Sequence, residues 1–461
     1  MSGPLVRVNR VDRSRLPVPP GPPPVTFPVI NKSLLPNGLR VWTVAHRSTP
    51  VVALMLLVRR GAADDPGGQE GLAALTLDML DEGSGGRSAI EMHEALAGIG
   101  AHLESDIGSD AAVLSATVLS RCADPALSIL ADITVRPSLL DEDFHRVRQL
   151  RLHRLRQLRD MPGAVADRTF VRLLYGSHPY GHTPLGSEPS LASLSIDDVR
   201  AFHQNAIRPS ETTLVAVGDC DHEAIERIAR RVFSEWDGAS ANVFPVATAL
   251  PAPARLNVVP RPGAPQSELR IGHVAVARNT PDYHAIIAAN MVLGGQFVSR
   301  INLNLREDKG FTYGARTSFD FRRLPGPFSL QASVHTAATG RAIEESLGEI
   351  AAIRGTRRVT REELALGVAA LTRGYARGFE TPDQVARGVA QIALYDLSDD
   401  YFAEFVPRME RVTVDDVTRV MSEHVDPSRL TTLVVGDFDT TRADLTRLNL
   451  GEATVLSAES F

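Results

Sequence analysis

An arginine and a tyrosine in the second half of the chain are spaced so that both could donate hydrogen bonds to one bound group. Arg306 ends a predicted helix, and Tyr313 begins a predicted strand after the break at Gly310. This helix–glycine–strand turn can bring the guanidinium and the phenol together, and both are hydrogen-bond donors. In the alternative interpretation, Arg306 pairs with Glu307 or Asp308 at the surface and the tyrosine is half-buried core. Spacing alone favours this alternative.

Four histidines are the other residues that could bind a metal ion, and their spacing offers no site. They are His93, His102, His145 and His153. His145 and His153 lie on one predicted helix, about two turns apart, which is too far for both to bind one ion. We therefore predict that this chain binds no metal.

The elements that position Arg306 and Tyr313 are two helices and two strands, and the first half of the chain repeats this plan. Ser88 and Glu91 form a capping box that opens a helix, which Gly100 closes. Hairpin strands followed by blocks of helices predict an α+β fold of two tandem duplicated domains, each an antiparallel sheet packed with helices. The predicted elements of the second half are helices near Pro281–Leu293 and Ser299–Glu307 and strands near Phe311–Phe319 and Phe328–Val334.

An internal repeat supports the duplication. Three matched segments are each 218 residues apart, and they cover a helix start, a Pro-Ser turn and the end of a strand. The pairs are Ser195–Val199 with Thr413–Val417, Pro209–Ser210 with Pro427–Ser428, and Val217–Asp219 with Val435–Asp437. One constant interval across three different structural signals indicates a tandem duplication.

The repeat and the composition together predict the domain boundaries. A proline-rich arm covers residues 1–33, the first domain 34–236, a linker 237–255 and the second domain 256–461. The arm favours extended polyproline II. It is either a mobile tail or a strap that docks on a partner subunit or on the second domain.

Composition and charge exclude several classes of partner. The chain has 461 residues, 43% of them hydrophobic and 23% charged, with a net charge of −6, which argues against nucleic acid and against an anionic membrane. Cys122 and Cys220 belong to no CxxC, so we expect two small buried hydrophobes and neither a disulfide nor a thiolate metal site. There is no signal-peptide pattern, and the most apolar run, Val51–Val58, is too short to span a bilayer. We predict a cytoplasmic protein.

Short segments in both halves resemble the pitrilysin/insulinase-type peptidases, which include mitochondrial processing peptidase. Each segment is unspecific, but their order and spacing span nearly the whole chain. In the first half they are Leu35-Pro-Asn-Gly-Leu-Arg-Val41, Gly71-Leu-Ala73, His178-Pro-Tyr-Gly181 and Val217-Gly-Asp219. In the second half they are Leu293-Gly-Gly295, Ser299-Arg300, Leu305-Arg-Glu307 and Gly310-Phe-Thr-Tyr313. The turn at His178-Pro179-Tyr180 is expected to be structural.

The resemblance implies an H-x-x-E-H zinc motif, and this chain lacks it. The two histidine positions fall on Ala74 and Asp78, the general-base position on Leu77, and a later glutamate ligand at or beside Leu155. Alanine and leucine side chains have no lone pair, and one carboxylate cannot hold zinc alone. We expect Asp78 to be solvated or to cap a helix.

The resemblance also implies that Arg306 and Tyr313 act in the zinc site of a partner, where they hold the substrate backbone and stabilise an oxyanion. With the surrounding signature matched, we favour this role over the surface ion pair. Gly294 and Gly295 have two interpretations: a helix C-cap, or a short equivalent of the glycine-rich loop that contacts peptides in the non-catalytic subunit of mitochondrial processing peptidase.

These implications give two hypotheses for function. In the first, the chain is the zinc-less subunit of a heterodimeric metallopeptidase, inactive alone. Its partner resembles it, carries H-x-x-E-H and zinc, and binds unfolded peptides as an added strand at a sheet edge. In the second, the chain is a non-enzymatic peptide-binding or structural assembly subunit, for example in a homodimer.

Overall fold

The computed structural model describes residues 14, 25–238, 250 and 255–457. Most of the predicted proline-rich arm and most of the predicted linker lie outside these residues. The domain boundaries therefore stay predictions.

The first half of the chain forms a six-stranded sheet, a small hairpin and a set of helices. Its strands are β1 (Asn31–Leu34), β2 (Arg40–Ala45), β3 (Val51–Val58), β4 (Gly83–Ser84), β5 (Arg87–Ser88), β6 (Leu103–Ile107), β7 (Ala112–Leu119) and β8 (Thr212–Gly218). Its helices are α1 (Leu72–Met79), α2 (Ala89–Gly98), α3 (Ala123–Val135), α4 (Asp141–Arg159), α5 (Pro162–Tyr175), α6 (Glu188–Ser193), α7 (Ile196–Ala206) and α8 (His222–Val232).

The second half forms another six-stranded sheet with its own helices. Its strands are β9 (Leu256–Pro260), β10 (Gln266–Val274), β11 (Thr312–Phe319), β12 (Pro327–His335), β13 (Thr431–Gly436) and β14 (Thr454–Val455). Its helices are α9 (Tyr283–Asn290), α10 (Arg300–Asn302), α11 (Thr339–Ala351), α12 (Arg361–Thr372), α13 (Pro382–Tyr395), α14 (Phe405–Glu410), α15 (Val414–His424) and α16 (Phe438–Arg447). None of the helices within the described residues is both long and apolar enough to cross a bilayer.

Each sheet is mainly antiparallel, with parallel pairs that the sequence pattern did not predict. The strand orders are β1-β2-β8-β3-β7-β6 and β11-β12-β10-β13-β9-β14. The late strand β8 lies between β2 and β3, which run in opposite directions, so it must be parallel to one of them; it is parallel to β2. By the same reasoning β13 is parallel to β9. The α+β class is confirmed.

Each half covers the sheet of the other with one helix. α13, from the second half, packs on β3 and β8 of the first sheet, and α5, from the first half, packs on β10 and β13 of the second sheet. This explains why Val51–Val58 is apolar at every position, since β3 is covered on both faces. The two halves are thus one packed unit.

Polar contacts reinforce this packing at the turn His178-Pro179-Tyr180. The backbone N–H of Tyr180 donates to His178 Nδ1 at 3.0 Å, which makes the segment a structural turn, as predicted. The buried hydroxyl of Tyr180 donates to Asp110 and accepts from the backbone N–H of Leu324, in the second half, at 3.1 Å. Tyr175 donates to the Pro325 carbonyl at 2.8 Å. The turn therefore also joins the two halves.

Candidate functional site

The residues at the degenerate metal position of the first half lie on α1 and α4. Ala74 and Leu77 on α1 are buried, and so is Leu155 on α4. Gly71, with φ +96°, begins α1, and a Cβ there would lie 2.9 Å from the Cα of Gly186. The helix therefore starts at the place the resemblance implies, but its buried face carries apolar groups.

Asp78 forms an ion pair that connects α1 to α4. Its carboxylate accepts a hydrogen bond from Arg151, whose second terminal nitrogen donates to the Pro184 carbonyl at 3.0 Å. The Asp78 side chain is 41% exposed, so the expected solvation holds in part, but Asp78 pairs with a residue 73 positions later in the chain instead of capping a helix. Burial raises the pKa of Asp78, and the charge of Arg151 opposes the shift.

This donor set does not fit zinc. A protein zinc site takes three or four nitrogen, oxygen or sulfur ligands. Here Ala74, Leu77 and Leu155 offer none, and the Asp78 carboxylate is already bonded to a guanidinium. A cation at this position would also meet the positive charge of Arg151. The four candidate histidines do not replace the lost ligands, because His93, His102, His145 and His153 are all exposed.

A cluster that sequence reasoning missed contains three residues able to ligate a metal: Asp282, Glu423 and His424. Arg419 donates to Asp282 at 2.7 Å and to Glu423 at 2.9 Å, so a guanidinium already neutralises the carboxylates. His424 Nε2 lies 2.8 Å from the other Asp282 oxygen. We interpret the cluster as an ion-pair network between α9 and α15.

Arg306 lies on a π-helical turn, Leu303–Asp308, that continues α10, where the sequence predicted a regular helix. The centre of its guanidinium is 4.1 Å from the ring centroid of Phe297, a cation–π contact. Its Nη1 atom is 3.3 Å from a carboxylate oxygen of Glu307 without making a hydrogen bond. The surface ion pair of the alternative interpretation is therefore present, the Arg306 side chain is 31% exposed, and its unbonded Nη1 atom is buried.

Tyr313 lies in a β-bulge of the edge strand β11. The register with β12 shifts between Thr312 and Ala315, so Tyr313 and Gly314 have no regular partners. The Thr312 hydroxyl donates to the Ser333 carbonyl at 2.7 Å and accepts from the Gly314 N–H at 3.1 Å, which fixes the bulge. Bulges re-aim side chains, and Tyr313 is 88% exposed. The alternative of a half-buried core tyrosine is wrong.

Gly294 and Gly295 end a second π-helical turn, Met291–Gly295, which continues α9. Gly294 is buried against β11, and a Cβ there would lie 2.5 Å from the Thr317 hydroxyl. A Cβ on Gly295 would lie 2.8 Å from the Asn290 side chain. Close packing against these neighbours therefore requires both glycines.

One groove contains two of the four predicted second-half site residues, Gly294 and Gly295. It has a volume of about 550 Å³, and its lining also includes Phe297, Asn302 and Gly314. Arg306 and Tyr313 do not line it, but each adjoins a lining residue: Arg306 stacks on Phe297, and Tyr313 precedes Gly314 in the chain. Sequence reasoning did not identify Phe297 or Asn302.

Several exposed apolar side chains lie within nine residues of Arg306 in the chain, and one of them, Phe297, contacts its guanidinium. Phe297 is 62% exposed, and Val298, Leu303 and Tyr313 are exposed as well. Exposed apolar groups that cluster around a polar centre mark interaction sites more often than scattered single residues do. We call Phe297, Val298, Leu303, Arg306 and Tyr313 the Arg306 surface.

Two family models match the chain. The one described as Insulinase (Peptidase family M16) matches residues 40–186, which contain the degenerate metal position. The one described as Peptidase M16 inactive domain matches residues 193–371, which contain the Arg306 surface.

Curated relatives carry zinc-protease names. An uncharacterized zinc protease of Mycobacterium tuberculosis strain H37Rv is 23% identical over 420 residues, which cover 89% of this chain and 94% of the relative. The uncharacterized zinc protease YmxG of Bacillus subtilis is 23% identical over 287 residues, which cover 62% of this chain and 69% of the relative.

Solved structures share the fold. The peptidase M16 inactive domain from Pseudomonas fluorescens superposes with a TM-score of 0.81 at 24% identity, covering 88% of this chain and 98% of that one. A protease from Helicobacter pylori superposes with a TM-score of 0.82 at 18% identity, covering 88% and 99%. Two family models in the expected order and relatives that align along most of the chain agree with this fold, and the chain belongs to the insulinase family, peptidase family M16.

Proposed function

We propose that this chain is the non-zinc-binding subunit of a heterodimeric metallopeptidase that cleaves unfolded peptides. The observation that carries the proposal is the contrast between its two halves. The metal position is apolar and ion-paired, whereas the Arg306 side chain is 31% exposed and stacks on Phe297, and Tyr313 is 88% exposed. Hydrogen-bond donors on Arg306 and Tyr313 could act on a substrate if another chain supplies the metal.

The partner we propose is a homologous subunit that carries the intact H-x-x-E-H motif and the zinc. The Arg306 surface supports such a partner, because its apolar side chains would lose contact with water on docking. The zinc bound by the partner would polarise the peptide carbonyl and activate water. This chain alone would then be inactive.

The residues of this chain would act on the peptide in two ways. Arg306 and Tyr313 would donate hydrogen bonds to the substrate backbone and to the carbonyl oxygen as negative charge develops on it. Gly294 and Gly295 would let a peptide backbone approach the groove, and direct contact would fall to Gly295, because Gly294 is buried and Gly295 is exposed. A peptide would bind mainly through its backbone, as an added strand at a sheet edge of the partner, with modest sequence preference.

The test is a reconstitution. This chain, a candidate partner encoded beside it that carries H-x-x-E-H, and their mixture are assayed on a quenched fluorescent peptide, with zinc quantified in each. We expect cleavage only in the mixture and zinc only in the partner. Stoichiometric zinc with cleavage by this chain alone would contradict the proposal. Peptide binding without cleavage in the mixture would instead favour the non-enzymatic peptide-binding or assembly subunit.

A further inference from the structure

One buried asparagine connects all the elements that carry the Arg306 surface. Asn302 is 4% exposed and is the last residue of α10, directly before the π-helical turn that carries Arg306. Its Nδ2 donates to the Phe297 carbonyl at 2.6 Å, and its Oδ1 accepts from the Ala315 N–H at 3.2 Å. The side chain therefore joins the loop before α10 to the bulged strand β11.

Both bonds hold groups that orient the two donors. Phe297 supports the Arg306 guanidinium with its ring, so its backbone position sets where the ring stands. Ala315 closes the bulge that exposes Tyr313, and β11 is an edge strand of its sheet, so its N–H there needs a side-chain acceptor. The positions of the guanidinium and the phenol thus share one support, the Asn302 amide, in addition to the Thr312 bonds that fix the bulge.

Only a residue with a donor and an acceptor on one short side chain can make both bonds. Aspartate could accept from the Ala315 N–H, but its carboxylate would face the Phe297 carbonyl oxygen. Leucine matches the shape and makes neither bond. The chemical requirement at position 302 is therefore as narrow as at many catalytic positions, although the side chain is too buried to contact a substrate.

We propose that Asn302 is a positioning residue for Arg306 and Tyr313, an inference that rests on the proposed function for its catalytic consequence. It acts through the donors and not on the substrate. Neighbouring Asn304 provides a comparison, because it lies on the π-helical turn that follows Asn302 and donates to Glu345 at 2.9 Å and to Glu349 at 3.0 Å, both on α11 and away from the groove.

The geometric part is tested on this chain alone by amide hydrogen exchange. Asn302→Leu should raise the exchange rate of the Ala315 amide by about tenfold or more, because that N–H loses its acceptor on an edge strand. Asn304→Leu should leave this amide unchanged. Equal exchange rates at Ala315 in the wild type and Asn302→Leu would overturn the proposal, and this result does not depend on any partner or activity.

The catalytic part is tested in the reconstituted complex. Asn302→Leu should lower kcat by about tenfold with KM nearly unchanged, since misplacing donors weakens the transition state more than binding. Asn304→Leu should keep kcat. In the Arg306→Ala/Tyr313→Phe background, Asn302→Leu should have less than about a twofold further effect, because the groups it positions are gone.

The outcomes separate the two proposals. If Arg306→Ala/Tyr313→Phe leaves turnover intact, the proposed function fails, while the exchange of Ala315 still decides the positioning role. If that double variant is impaired but Asn302→Leu is not, or if Asn302→Leu lowers kcat equally in both backgrounds, the positioning role is overturned and the proposed function stands.

Discussion

The two halves of this chain share one duplicated fold, yet the polar groups at their two candidate sites differ in exposure and in partners. At the metal position of the first half, Asp78 and Arg151 neutralise each other between packed helices, and Ala74 and Leu77 face the interior. On the Arg306 surface of the second half, a guanidinium packs on an exposed ring, and Tyr313, seven residues later in the chain, is 88% exposed. The half without zinc ligands therefore pairs its remaining charge within the fold, whereas the other half presents an arginine and a tyrosine that a partner could contact.

The largest expected effect comes from removing the hydrogen-bond donors of Arg306 and Tyr313. Arg306→Ala should lower kcat of the reconstituted complex by about a hundredfold or more, the usual cost of removing one preorganised donor to an oxyanion. Tyr313→Phe, which removes only a hydroxyl, should act in the same direction. Both variants should assemble with the partner normally, as measured by size-exclusion chromatography. Arg358→Ala, an exposed arginine of the same half that pairs with Asp415, is the control. Unchanged turnover would refute the assigned role.

The ion pair of the first half should matter for stability and not for turnover. Arg151→Ala leaves a partly buried carboxylate without its partner and should reduce the free energy of unfolding by about 2 kcal/mol, less than for a fully buried pair. The control is Arg231→Ala, which breaks an exposed pair with Asp124 between α8 and α3 and should cost less than about 1 kcal/mol.

Replacing both partners sharpens this test. Asp78→Leu/Arg151→Leu should recover most of the stability lost in Arg151→Ala, since an apolar pair avoids burying an unpaired charge. Chemical denaturation of the wild type, the two single variants and the double variant measures these free energies of unfolding. A double variant as unstable as Arg151→Ala would mean that the arginine acts through its bond to the Pro184 carbonyl.

The pair of Asp78 and Arg151 also predicts that the free energy of unfolding depends on pH, with a smaller effect. Burial raises the pKa of Asp78 above its ordinary value of 3.8, so the folded state binds a proton that the unfolded state has already lost. Stability should therefore fall as pH rises from about 4 through the folded pKa. Arg151→Leu should raise the pKa of Asp78 in the folded state further, which widens the pH range over which stability falls. Asp78→Asn should remove this pH dependence. Denaturation midpoints between pH 4 and 8 measure this pH dependence. If the pH range over which stability falls becomes narrower in Arg151→Leu, Arg151 does not hold the pKa of Asp78 down.

Much of the fold could be predicted from local signals. The capping box at Ser88 opens a helix in the structure as predicted, and the repeated segments at Ser195 and Thr413 open helices as well. The constant interval of 218 residues identified the duplication, because a cap, a turn and a strand end are each encoded within a few residues.

Features that depend on distant contacts could not be predicted. The pairing of Asp78 with Arg151 and the exchange of helices α5 and α13 between sheets connect residues far apart in sequence. The π-helical turns at Met291–Gly295 and Leu303–Asp308 keep an apolar periodicity that a regular helix would also show. The bulge at Tyr313 arises from bonds made by Thr312 and by Asn302, and Gly314 is a local signal for it that the prediction did not use, since a glycine inside a strand often marks a bulge.

The smallest expected effect tests how Arg306 is held. Phe297→Leu removes the ring under the guanidinium and should lower kcat by about two- to fivefold, the cost of an exposed cation–π contact, whereas Phe297→Trp should retain activity. If Phe297 acts through Arg306, Phe297→Leu should have no further effect in the Arg306→Ala background. If Phe297 instead contacts the partner directly, the affinity between subunits should fall in both backgrounds, as it should for the exposed neighbour Val298→Ala. The two results would distinguish a Phe297 side chain that positions Arg306 from one that mainly contacts the partner subunit.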